Sequence, residues 1–95
     1  MKYFDWNQDK NEWLIRERGI SFEAIVVAVE EGGILDIVEH SNKRRYPNQR
    51  VFIVKFQEYA YLVPFVEDEE KVFLKTIIPS RKATEKYITS NKKRL

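Results

Sequence analysis

Two stretches of this 95-residue chain concentrate the side chains that can do chemistry. The first, His40 to Arg50, joins the only histidine to Lys43, Arg44, Arg45, Tyr46 and Arg50. The second, Ser80 to Tyr87, carries Arg81, Lys82, Thr84 and Lys86. Guanidinium groups grip phosphate through paired hydrogen bonds, and aromatic rings stack on unpaired bases. Cleaving RNA without a metal needs little more. The 2′-hydroxyl attacks the adjacent phosphorus, a base takes its proton, and cations neutralise the phosphorane. His40 is the acid–base candidate, imidazole being the side chain suited by type to proton exchange near neutral pH. Without that chemistry the same residues are a polar loop and a capped helix with solvated charges.

Other chemistries lack their residues. One histidine and no cysteine leave a zinc site short of ligands, and Glu67-Asp68-Glu69-Glu70 lacks the spacing of a calcium loop. No serine sits in a glycine-flanked nucleophile elbow, and neither a P-loop nor a dinucleotide fingerprint occurs.

The second stretch sits at a strand-to-helix joint. From Lys71 to Ile78 the chain alternates, with Val72, Leu74, Thr76 and Ile78 on one face and Lys71, Phe73, Lys75 and Ile77 on the other. That period predicts a half-buried strand, ended by Pro79. Ser80 can cap a helix through Ala83, Lys86 and Tyr87, which sets Ser80, Arg81, Lys82 and Thr84 at an N-terminus whose free N–H groups suit a phosphate.

Upstream, Asn7 or Asp5 caps a helix reaching Arg18, with Gly19 as its left-handed stop. Trp6, Trp13 and Leu14 fall near one face of it and read as packing. Ser21 opens a second helix whose Phe22, Ile25, Val26 and Val29 form an amphipathic stripe, closed by Glu30-Glu31-Gly32-Gly33. Strands follow at 34–39, 50–57 and 60–67, with Pro64 calling for an edge or a bulge. The order predicts one α+β domain over residues 1–95: two N-terminal helices, a four-stranded, mainly antiparallel meander and a C-terminal helix. Residues 91–95 read as a frayed basic tail.

Charge is uneven along the chain. Residues 1–39 carry four Lys/Arg against nine Asp/Glu, and residues 71–95 carry eight against one. Such asymmetry fits a basic face for a polyanion and an acidic face for another partner. No apolar run is long enough to span a bilayer and no signal-peptide pattern opens the chain, so a cytoplasmic protein is expected.

These pieces, taken in order, resemble the BrnT family of toxins, which share the RelE-like ribonuclease fold. Phe4-Asp5-Trp6 with Lys10, then Arg18-Gly19-Ile20-Ser21-Phe22-Glu23-Ala24, resemble the family's opening segment and helix junction. His40-Ser41 and Gln49-Arg50 are similar to its His-Ser and Glu-Arg pairing. Ile77-Ile78-Pro79-Ser80-Arg81-Lys82-Ala83-Thr84, followed by Tyr87, is similar to its C-terminal signature. The chain departs from the family at Arg18, where members often have His, at Pro79-Ser80, where they have Ser-Ala, and at Pro64.

The resemblance implies the toxin of a type II toxin–antitoxin system: a bacterial endoribonuclease that stops translation and growth and needs no cofactor. A cognate antitoxin would hold it in a heterotetramer and alone would contact promoter DNA. On that reading Arg50 and Arg81 take phosphate and transition-state charge with Lys82 assisting, Thr84 positions the phosphate or caps the helix, and His40 is the acid or base. Lys43, Arg44, Arg45 and Lys86 would contact RNA, and Tyr46 and Trp6 would stack on bases. The alternative is a non-catalytic interaction protein: a decayed toxin, or a poison of a protein target such as gyrase. A stand-alone nucleic-acid binder is a third reading.

Overall fold

The structure, a computed structural model, describes residues 2–89. The basic tail expected at 91–95 lies outside the described residues.

Helix α1 (Gln8–Arg18) and helix α2 (Phe22–Glu30) form as their caps dictate. Asn7 accepts the Lys10 N–H, Gly19 closes α1 at φ 67°, and Ser21 accepts the Ala24 N–H. The connection is further locked by Asn11, a buried polar side chain of α1. Its Oδ1 accepts the Phe22 N–H at 2.7 Å and its Nδ2 donates to Glu23 at 2.8 Å. A residue on one helix thereby satisfies an otherwise orphaned donor at the start of the next.

The sheet has six strands and is mixed, where the sequence led us to expect four in a meander. The strands are β1 (Tyr3–Trp6), β2 (Ile34–Glu39), β3 (Arg50–Phe56), β4 (Tyr59–Glu67), β5 (Lys71–Leu74) and β6 (Ile78–Pro79). Their order is β1-β5-β4-β3-β2, with β6 also on β4. β1, where the sequence reading placed no strand, is an edge strand, parallel to β5 with Tyr3 opposite Lys71 and Trp6 opposite Leu74. Four residues with a central aspartate carry too little period-2 signal to announce a strand. The β3–β4 hairpin turns at Gln57 and Glu58, both at positive φ, as a two-residue turn matching the twist of its strands requires.

The alternation read from Lys71 to Ile78 holds only to Leu74. β4 pairs β5 with Phe65 opposite Leu74, and pairs β6 with Leu62 opposite Ile78. Three residues (Lys75, Thr76, Ile77) therefore face two (Val63, Pro64), and the one extra residue switches the pattern. Ile77 becomes fully buried and Ile78 is exposed. Pro64 sits in this gap. Its carbonyl accepts the Lys75 N–H, so its donor-less nitrogen points to the same side and leaves the β3 ladder unbroken.

Both faces of the sheet are covered, which is why Val51, Phe52, Ile53 and Val54 are all buried in succession. On the first face Leu14, Ile20, Phe22 and Ile25 from the two helices pack on Phe52, Val54, Val63, Phe65, Val72, Leu74 and Ile77. Phe52 and Phe65 stack at 3.9 Å. On the second face Ile53 and Ala60 pack against Ala83 and Ile88, with Leu35, Leu62 and Tyr87 at the margin. Ala83, Tyr87 and Ile88 come from helix α3 (Arg81–Thr84) and the π-helical turn from Glu85 to Thr89 that continues it.

Candidate functional site

Register decides which of the cationic residues share a face. Arg50 lies opposite Phe65 and Glu39, on the face covered by α1 and α2. Its guanidinium ion-pairs Glu67 and lies over the Phe65 ring, 5.2 Å from the centroid. Lys2 donates to the other Glu67 oxygen at 2.9 Å. Lys2 and Arg50 together hold the Glu67 carboxyl below its usual range. Lys43, ion-paired with Glu39, lines an open groove at this end of the sheet with Pro47, Asn48, Gln49, Arg50 and Glu67. Lys43 holds the Glu39 carboxyl below its usual range as well.

Val38 pairs with Val51 and therefore points to the second face. His40 continues this ladder, its N–H donating to Gln49 O at 3.2 Å, so it lies on that face two residues beyond Val38, about 7 Å along the strand. Its Nδ1 accepts the Asn42 N–H at 3.0 Å, which fixes Nδ1 as an acceptor and leaves Nε2 to carry the proton when the ring is neutral. The imidazole lies 4.5 Å from the Tyr46 ring, and Arg45 lies over Tyr46 at 5.6 Å. Arg44 is exposed on the same loop.

The C-terminal helix supplies the other wall. A shallow groove of about 250 Å³ runs between it and the sheet, lined by Val38, Ile53, Leu62, Ser80, Lys82, Ala83, Lys86 and Tyr87. Its floor is apolar and comes from three adjacent strands; Lys82 and Lys86 stand on its rim. At one end Tyr87 donates to Asp36 at 2.6 Å, and Lys86 adds its charge beside that carboxylate.

Register thus sets His40, with Tyr46 and Arg45 beside it on the loop, on the same sheet face as Lys82 and Lys86, and Arg50 on the other. Arg50 and Arg81 do not converge on one phosphate as the sequence led us to expect. Arg50 pairs with Phe65, whereas Ser80, just before Arg81, donates its N–H to Ala60. Five residues of strand, about 17 Å, and the thickness of the sheet lie between. Arg81 is exposed at the helix start, with no ion-pair partner among the described residues.

The phosphate seat drawn for the helix N-terminus also changes. Ser80 caps it by accepting the Ala83 N–H, which takes one of the donors a phosphate would need. Thr84 is buried. Its hydroxyl donates to Ser80 O and accepts the Ala60 N–H, both at 2.8 Å, so it ties the helix to β4. Trp6 stacks on Phe22 in the first core, with ring centroids 5.6 Å apart. Trp13, expected to pack, points outward instead between Lys10 and Arg18. Asp36 and Val38 were not singled out from the sequence, and Tyr87 entered only as a helix residue and part of the C-terminal signature. Only the spacing of Lys82, Lys86 and Tyr87 along one helix carried any signal for them.

Among the described residues no three His, Asp or Glu side chains cluster as metal ligands would, and no helix is long and apolar enough to cross a membrane. No protein-family model matches the chain, and neither does any curated protein. Among solved structures, it is similar to the crystal structure of the Brucella abortus ribonuclease toxin BrnT. The two share 14% sequence identity and a TM-score of 0.57, over 84% of this chain and 97% of that one. Two helices before a mixed sheet and a short helix behind it therefore make a BrnT-like α+β fold.

Proposed function

We propose that this protein is the toxin of a toxin–antitoxin pair and an endoribonuclease, working on the sheet face that carries the C-terminal helix. One observation carries the reading: Lys82 and Lys86 line an open groove with Val38, and His40 lies on the same sheet face two residues beyond Val38, outside the groove's lining. The BrnT-like fold supports it, since the similar Brucella protein is a ribonuclease toxin.

In the proposed reaction the scissile phosphate lies at the rim of the groove. His40 exchanges the proton of the 2′-hydroxyl or of the leaving 5′-oxygen through Nε2 once the ring releases the Asn42 N–H and carries its other proton on Nδ1. Lys82 and Lys86 neutralise charge on the phosphorane, with Arg45 and Arg81 holding flanking phosphates. The products are a 2′,3′-cyclic phosphate and a 5′-hydroxyl. No cofactor enters. Arg50 braces Glu67 and the N-terminal strand on the opposite face and takes no part. A cell that carries such a toxin needs an antitoxin partner to silence it.

Expression of the chain alone should arrest growth and fragment RNA, and the purified protein should cleave RNA in the presence of a chelator. Cleavage undiminished in both His40→Gln and Lys82→Gln would remove the assignment. A second reading, a non-catalytic poison, draws on the engagement of Arg50 by Glu67, which withholds one cation from substrate. It predicts growth arrest with intact RNA.

A further inference from the structure

One edge of the sheet is β2, which pairs with β3 and has no second neighbour among the described residues. The His40 N–H donates to Gln49 O, so His40, Val38 and Asp36 turn their backbone groups toward β3. Ile37 and Glu39 therefore turn theirs outward. Their side chains are open as well, with Ile37 44% and Val38 36% exposed. Outward donors and acceptors of this kind are a template for another strand. In the single chain Asp36 Oδ1 occupies one of them, the Ile37 N–H, at 2.8 Å.

A second copy of β2 fits this edge, antiparallel, in one register. Hydrogen-bonded pairs must join outward residues, which sets the two-fold axis on a single residue of the strand. An axis at Asp36 or Glu39 puts two carboxylates directly across from each other, which is destabilising. An axis at Ile37 puts Glu39 across from Leu35, inside the stretch between Ile34 and Asp36 where the register slips. An axis at Val38 puts valine on valine, Ile37 across from Glu39, and Asp36 across from His40 of the other copy, twice over. The imidazole is already prepared for that pairing. Its Nδ1 accepts the Asn42 N–H, so Nε2 carries a proton to donate. Asp36 is held in place through its other oxygen by Tyr87. Oδ1 exchanges the Ile37 N–H for the imidazole, and that N–H passes to Glu39 O across the axis.

We propose that two copies of this chain join by antiparallel pairing of β2 on β2 about Val38, each Asp36 accepting a hydrogen bond from His40 Nε2 of the other copy. The pairing occupies the acid–base group, so the dimer is the silent form; this last step rests on the ribonuclease reading, and the pairing itself does not.

The chain has no cysteine, so a single introduced one reports the register. Across the axis the Val38 Cα atoms would lie about 4.5 Å apart, within disulfide reach. Those of Ile37 or Glu39 would lie about 7–8 Å from their counterparts, beyond it. On mild oxidation Val38→Cys should cross-link, and Ile37→Cys and Glu39→Cys should not. Sedimentation equilibrium of the unmodified whole protein should show monomer–dimer exchange. His40→Asp, which sets carboxylates face to face, should weaken it about tenfold. A protein that is monomeric at every concentration, a dimer indifferent to His40→Asp, or cross-linking at Ile37 or Glu39 in place of Val38 overturns the pairing. Oxidised Val38→Cys should cleave RNA about a hundredfold more slowly than the same protein reduced, the usual contribution of a positioned acid or base. Equal rates overturn the silencing and leave the dimer standing. Absence of cleavage even by the unmodified monomer overturns the ribonuclease reading and also leaves the dimer standing.

Discussion

The Tyr87 phenol donates to Asp36 Oδ2 at 2.6 Å, tying the π-helical turn Glu85–Thr89 to β2 at one edge of the sheet. The other Asp36 oxygen accepts the Ile37 N–H at 2.8 Å, so one side chain both anchors the helix and occupies a donor on an exposed edge.

This contact predicts a pH dependence of stability. The Tyr87 hydroxyl first, then the Ile37 N–H and the Lys86 charge, hold Asp36 below the usual carboxylate range. A depressed carboxyl contributes stability above its unfolded pKa of about 3.9, and that contribution is lost as pH falls through the lower folded value. The same bond raises Tyr87. Its contribution is full below about pH 10 and is lost as pH rises through the raised value. Asp36→Asn should therefore melt below wild type near neutrality, and the gap should shrink at about pH 2. Circular-dichroism melts across this range read it; a constant gap would show that the carboxylate charge is immaterial.

Catalysis should separate the two faces. Lys82→Gln should lower RNA cleavage about a hundredfold, as expected for a cation facing developing charge. Arg50→Gln should lower it less than threefold by the same scale. Its exposed ion pair with Glu67 should contribute under about 1 kcal/mol to stability. Single-turnover rates on one RNA decide the matter. Equal losses would place Arg50 back in the site.

Asn11 is a test of the helix junction. Asn11→Leu keeps the branched shape in a larger side chain but leaves the Phe22 N–H buried without an acceptor, and should cost about 1–3 kcal/mol in urea unfolding. Asn11→Asp keeps the acceptor, yet sets a carboxylate against Glu23. It should recover stability as pH falls through the carboxylate range.

Gly33 is required for its size. A Cβ there would lie 2.6 Å from the Ala28 carbonyl oxygen and 3.0 Å from that of Lys55, both backbone atoms that cannot step aside. Gly33→Ala should cost about 1–3 kcal/mol through overpacking of α2 on β3. Gly32, at φ 87° with open space around it, should accept Asn at lower cost. Paired denaturation curves compare the two.

Much of the scaffold was legible because local signals agreed. Asn7, Gly19, Ser21 and Ser80 each cap the helix their residue type announces, and the strand at Ile34–Glu39 begins and ends where its β-branched run does. The edge strand Tyr3–Trp6 was not legible, because a parallel pairing to Lys71–Leu74 is decided by residues nearly seventy positions away. The site was half legible. Residue type pointed to His40, Lys82 and Lys86. That Arg50 faces away from them follows from strand register, which composition does not encode. The groove floor was hidden for the same reason: Val38, Ile53 and Leu62 meet only once β2, β3 and β4 lie side by side.

The extra residue between Leu74 and Ile78 acts as a parity switch for the molecule. Side chains in a strand alternate with a period of two, so a single added position exchanges inside for outside in everything that follows. Ile78, and after it Ser80, inherit the far face; the lysine-bearing helix begins there and not beside α1 and α2. Removing one residue from Lys75–Ile77 would return that parity and start the helix on the crowded side, where two helices already lie. Front and back of this protein are thus set by an odd or even count over three residues, and a one-codon deletion there would be felt as an inversion where a point change at the same place would only be felt as a dent.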